Sequence, residues 1–176
     1  MARGNDPVKS AAKGVLRKCE MSQAPIDVEA VAIRIGAIVT YEAFTEDLSG
    51  VLVKEKARTV IGVNSFHPKT RQRFTIAHEI GHLVLQHKGE IFVDQTVVKR
   101  DARSSQAVDR QEIDANRFAA ELLMPEPLVK EAVHRRQERK ADISSTQIID
   151  ELAAEFQVSA QAMEYRLTNL GMFIPQ

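Results

Sequence analysis

The segment His78-Glu79-Ile80-Gly81-His82 constrains this chain more than any other feature, because it lies inside a stretch, Thr70 to His87, whose apolar spacing is helical. Histidines four residues apart leave one face of a helix, one turn from each other. At that spacing both ring nitrogens reach a single zinc ion at ~2.0–2.1 Å. Glu79 is turned by roughly 100° from His78, so its carboxylate meets a water on such an ion rather than the ion itself. The other positions of the segment are small or apolar. A catalytic site of this kind needs a third protein donor and an open fourth position.

The third donor comes from elsewhere in the chain. A continuation of the form H-x-x-G-x-x-H after Glu79 would need Gly at 85 and His at 88, where the sequence has Leu85 and Lys88. His87 follows His82 by five residues, which on a continuous helix points it off the ligand face. A second helical stretch, Asp109 to Leu123, carries Glu112 and Asn116 on one face, again four apart. Glu112 completes a His₂Glu set with an open position for water. Asn116 is placed to accept a hydrogen bond from the far ring nitrogen of a ligating histidine. The plainer reading of Glu112 is a solvated helix carboxylate, and His67 and His134 stand in reserve as donors, each otherwise a loop or surface histidine.

Around these helices the expected order is helices, a small sheet, then helices, an α+β arrangement. Ala11 to Cys19 reads as a first helix. A second starts at Pro25-Ile26-Asp27, with Asp27 as its cap, and runs to Ile35, with Gly36 as its stop. Three β-branched stretches follow, Ala37 to Tyr41, Gly50 to Lys54 and Thr59 to Val63, separated by turn-like segments as in an antiparallel meander. Lys88 to Val108 reads as a mobile connection with a short apolar piece, Ile91-Phe92-Val93. Helices are expected over Pro127 to Lys140 and Thr146 to Phe156, and a last one begins after Ser159 and stops at Gly171. The chain divides into an N-terminal helical segment (1–24), a core (25–125) and a C-terminal helical subdomain packed on it (126–176).

Lys and Arg number 24 and Asp and Glu also 24, so bulk charge points to no nucleic acid, membrane or acidic partner. The basic run His134 to Lys140 reads as a solvated helix face. Cys19 is the only cysteine, which excludes an intrachain disulfide and fits a reducing cytoplasm, and its expected place is in or near the core. No segment is apolar enough for a signal peptide or a membrane span. The sequence gives no sign of the oligomeric state.

Arg73 to His82, followed by Glu112-Ile113-Asp114-Ala115-Asn116-Arg117-Phe118-Ala119-Ala120-Glu121-Leu122-Leu123-Met124-Pro125, resembles the ImmA/IrrE family of zinc metallopeptidases. Gly36-Ala37-Ile38-Val39 and Ile61-Gly62-Val63-Asn64 are similar to its strand-bearing half, and the resemblance extends from about Pro25 to Gly171. It implies a zincin-like fold with a small antiparallel sheet and one Zn²⁺ per chain. His78, His82 and Glu112 match the family's metal ligands, and Glu79 its catalytic glutamate. It also implies a protein substrate, a helix-turn-helix repressor encoded nearby.

The resulting expectation is a zinc metalloendopeptidase in which Glu79 takes a proton from the attacking water and returns it to the leaving amine. His87, His134 and Tyr165 are all candidates for a second oxyanion donor. Substrate is expected to pair as an extended strand along a sheet edge. Two rivals stand beside this reading: a metal-bearing regulatory or toxin–antitoxin protein that acts by binding alone, and a DNA binder. The second rests on Leu152 to Leu167, which resembles a helix-turn-helix, but its second helix offers Arg166 as its one cation beside Gln161, Glu164 and Asn169, a thin surface for phosphates.

Overall fold

The first helix starts earlier than its apolar pattern, at an Asp-Pro pair that satisfies the orphan amides of its first turn. In the computed structural model, which describes residues 6–56, 58–95, 105–139 and 145–172, α1 spans Pro7–Lys18. The Asp6 carboxylate accepts from Val8 N at 3.1 Å, and Pro7 occupies a position whose missing N–H costs nothing. Helix α2 (Val28–Arg34) is capped by Asp27, which accepts from Ala30 N at 2.9 Å, and Gly36 follows at φ 90.

Strands β1 (Ala37–Glu42), β2 (Leu48–Lys54), β3 (Thr59–Asn64) and β4 (Ile91–Gln95) form one sheet in the order β1-β3-β2-β4. The antiparallel meander is corrected here to a mixed sheet. Strands β2 and β3 form the expected hairpin, but β1 lies on the far side of β3 and runs parallel to it, Ala37 opposite Thr59 and Glu42 opposite Asn64. Turn chemistry marks where a chain reverses, not which neighbour each strand takes. Strand β2 starts two residues before the expected Gly50, so Leu48 and Ser49 of the turn-like segment belong to it, and the bend before them is held by Asn64. That buried side chain donates to Thr45 O at 2.9 Å and to Leu48 O at 2.7 Å. The apolar piece at 91–93 is an edge strand, with Phe92 opposite Leu52 and Asp94 opposite Gly50. Residues 96–104 of the expected connection lie outside the described residues.

Helix α3 (Lys69–Val84) lies between this sheet and α4 (Ser105–Leu123). Every residue from Thr75 to His82 is buried, the mark of a helix covered on all sides. Two glycines permit that closeness. A Cβ at Gly50 would fall 2.3 Å from Thr75 Cγ2, and one at Gly81 3.1 Å from Ala115 Cα. Gln72 fixes the start of α3 by donating to Asn64 O and Ser65 O, both at 3.1 Å.

Helices α5 (Glu126–Arg139), α6 (Ser145–Phe156) and α7 (Ala160–Asn169) complete the chain. One contiguous apolar cluster takes in Val8, Val31, Ile61, Phe118, Leu152 and Leu167, so α1 and the last helices share a core with the sheet. Cys19 is buried in it. Part of the basic run is not simply solvated. Arg135 reaches Glu155 at 2.7 Å, and Arg136 reaches Glu151 at 3.1 Å and Glu155 at 2.8 Å, joining α5 to α6; Lys140 lies outside the described residues. None of the described helices is long and apolar enough to cross a membrane.

Candidate metal centre

Helix α3 presents His78 and His82 toward α4, and the close approach at Gly81 sets the spacing at which Glu112 reaches them. Glu112 Oε2 lies 3.2 Å from His78 Nε2, and Oε1 lies 3.3 Å from His82 Nε2. The two Nε2 atoms are 3.0 Å apart. Among the described residues these three make the one His/Cys/Asp/Glu group able to hold a metal ion, with one donor atom each and all within 4.8 Å of one another. The spare donors are elsewhere. His67 Nε2 lies 3.3 Å from Glu46 O, and exposed His134 pairs with Glu138 at 3.1 Å.

The far ring nitrogens are also engaged. His78 Nδ1 donates to Asn116 Oδ1 at 3.0 Å, the bond expected from the shared face of Glu112 and Asn116. His82 Nδ1 lies 2.9 Å from His87 Nδ1. His87 is not one of the three converged donors, yet it is not remote. The expected helix to residue 87 ends at Val84, and the chain folds back. The polar run Gln86-His87-Lys88-Gly89 after apolar Leu83-Val84-Leu85 was the available signal for that early stop. The Phe92 ring covers His82 from β4, with ring centroids 4.5 Å apart.

Glu79 projects toward β2 instead. Its carboxylate is fully buried, and neither oxygen has a hydrogen-bond partner within the protein. Burial pushes it up to about 8, with the His78 charge opposing and the Asp94 and Glu112 charges adding to the rise. Burial also disfavours the Glu112 carboxylate, but hydrogen bonds from His78 and His82 outweigh it and hold the group at about 2. For His78, burial works against the charged form, and the Glu112 hydrogen bond prevails and raises it. Burial and the His82 charge lower His87.

These residues fit a divalent cation. Two imidazole nitrogens and a carboxylate converge on one point, and a buried orphan carboxylate (Glu79) stands beside them, a costly group to bury unless something polar meets it. The donor set suits zinc chemistry. Next to the centre opens a cleft of about 620 Å³ lined by Phe74, Asp94, Asn116, Met124, Ala162 and Tyr165, among others.

The sequence profile of the IrrE N-terminal-like domain, a peptidase family, matches residues 33–168. The chain belongs to this family. Membership of the IrrE-like peptidases covers both histidines, Glu79 and Glu112 within the matched span. A relative, the radiation response metalloprotease IrrE of Deinococcus radiodurans, is 36% identical over 109 residues, 62% of this chain and 30% of the relative. A Mycobacterium tuberculosis transcriptional regulator has a similar fold, with TM-score 0.59 and 19% identity over 92% of this chain and 46% of that one. The chain thus spans less than half the length of either protein.

Proposed function

We propose that the protein is a zinc-dependent metalloendopeptidase that cuts a peptide bond in a partner protein, with His78, His82 and Glu112 as donors to one Zn²⁺ and Glu79 as general base. One observation carries it: a fully buried carboxylate with two orphan oxygens stands one position along the helix from His78, beside the converged donors. Zinc, when bound, makes a water acidic enough to lose a proton near pH ~7 and polarises the carbonyl under attack. Glu79 takes that proton on a carboxylate oxygen and delivers it to the leaving nitrogen. Burial raises its basicity toward that of a working general base. Asn116 fixes the ring of His78.

Substrate binds in this reading as an extended strand along β4, the sheet edge that carries Phe92 and Asp94 past the centre. An apolar side chain of that strand enters the cleft walled by Phe74, Met124 and Ala162. The partner we infer is a helix-turn-helix repressor encoded nearby. The sequence resemblance favours it, and the transcriptional regulator that shares the fold is compatible with it. The lone cysteine supports a cytoplasmic setting. DNA binding through α7 finds little support, since Arg166 is buried and paired with Glu121 at 2.7 Å.

The test is incubation with repressors from neighbouring reading frames, read by gel and mass spectrometry. Cleavage is expected for the zinc-loaded protein, is abolished by chelator, and falls about 10²–10⁴-fold in Glu79→Gln, which retains metal and partner. Relief of repression by both proteins without cleavage favours the binding-only alternative instead.

A further inference from the structure

Helix α3 ends in a turn that three other helices share. After Leu85, Gln86 adopts φ 54, its N–H donates to Leu83 O at 3.3 Å, and the His87 N–H donates to His82 O at 3.1 Å. This is the Schellman pattern, in which the residue two past the cap folds back over the residue five before it, usually as a hydrophobic contact. Glu20 (φ 55), Gln157 (φ 52) and Gly171 (φ 67) make the same turn, with backbone bonds from Met21 to Leu16, Val158 to Ala153 and Met172 to Leu167. All three of those pairs are apolar. At α3 the pair is His82 and His87, with ring centroids 4.9 Å apart and the Nδ1 atoms 2.9 Å apart. The turn is pinned from β2 as well, since Lys54 Nζ donates to His87 O at 3.0 Å.

The protonation pattern follows from the centre. His82 Nε2 faces Glu112 and His78 Nε2, so a cation there takes its lone pair. The ring proton of His82 then sits on Nδ1, and the atom 2.9 Å away must accept it. Asn116 Oδ1 stands in that relation to His78. We propose that His87 is a positioning residue for the metal centre: its Nδ1 accepts the Nδ1–H of His82, fixing the tautomer and ring plane in which His82 Nε2 meets zinc. The role rests on the metal-site reading above and adds to it a second-layer residue drawn from the helix-ending turn.

The test compares zinc affinity, by chelator competition, in the full chain and two variants. His87→Phe keeps a ring against His82 but removes the acceptor. His87→Asn puts an oxygen where Nδ1 was. Loss of such an outer partner typically costs 10–100-fold in metal affinity, so His87→Phe is expected to fall in that range and His87→Asn to recover most of it. Nitrogen-resolved NMR of the zinc-loaded wild type is expected to find the His82 proton on Nδ1. The thermal midpoint of the chelated variants, matching chelated wild type, separates this effect from misfolding. Wild-type affinity in His87→Phe, or equal losses in Phe and Asn, overturns the acceptor role. A wild type without zinc, or a His82→Ala variant that binds as well as wild type, defeats the metal-site reading instead.

Discussion

Glu79 is where residue chemistry and fold conflict most openly: a carboxylate with no partner in the protein, held where burial favours its neutral form. It stands there because α3 packs directly against β2, an approach that Gly50 permits. A Cβ there would meet Thr75 Cγ2 at 2.3 Å and Gly62 O at 3.1 Å, and would lie 3.6 Å from Glu79 Oε1. Gly50→Ala is therefore expected to destabilise by about 1–3 kcal/mol, as overpacking does, in urea unfolding. Adding Thr75→Ser removes the methyl in the way and is expected to restore a good part of the loss. A Gly50→Ala protein as stable as wild type would mean that the strand and helix are not in contact. At this scale the sequence was legible for His78, His82, Glu112 and Asn116, because helical spacing alone puts them in pairs on two faces. It did not reveal Gly50 or the role of Phe92, whose neighbours come from strands distant in the chain.

At the scale of elements, periodicity and capping residues located the helices, while the pairing of β1 with β3 depended on contacts that no local pattern records. The end of α3 depended on a left-handed turn at Gln86, a residue type without special preference for it. Helix α7 shows how packing can take up a cation that the sequence offers elsewhere. Arg166 is the cation its sequence offers to phosphates, yet it donates to both oxygens of Glu121, at 2.8 and 2.7 Å, and to Met124 O at 2.9 Å. Arg166→Met leaves Glu121 unpaired near the core and is expected to cost about 3 kcal/mol in chemical denaturation. A change under about 0.5 kcal/mol would identify the pair as a solvated one. Between α1 and α5, Glu126 is held at about 2 by hydrogen bonds from Lys130 and Lys9. A carboxylate with a depressed folded value stabilises above its unfolded value of 4.5, and that contribution disappears as pH falls from there to about 2. The Lys partners are partly exposed, so Glu126→Gln is expected to lose no more than about 1 kcal/mol at neutral pH and nothing near pH 2. Thermal midpoints across that range check it, and a gap that widens toward acid has the wrong sign.

Among the described residues α3 lies between the sheet and α4, and the residues that could hold metal bridge α3 and α4. A cation bound by the folded state alone stabilises it by about 4 kcal/mol at a thousandfold excess over Kd, so chelation is expected to lower the thermal midpoint by roughly 10 °C. A chelated protein that melts with the loaded one would argue that the donors hold nothing. Family membership supplies the peptidase frame, and the α+β class was legible from element order. The most direct measurement of the central claim is metal content by mass spectrometry in purified wild type and four variants. One zinc per chain is expected in wild type and His67→Ala, and sharply less in His78→Ala, His82→Ala and Glu112→Ala. Full zinc in Glu112→Ala together with its loss in His67→Ala would contradict the centre described here.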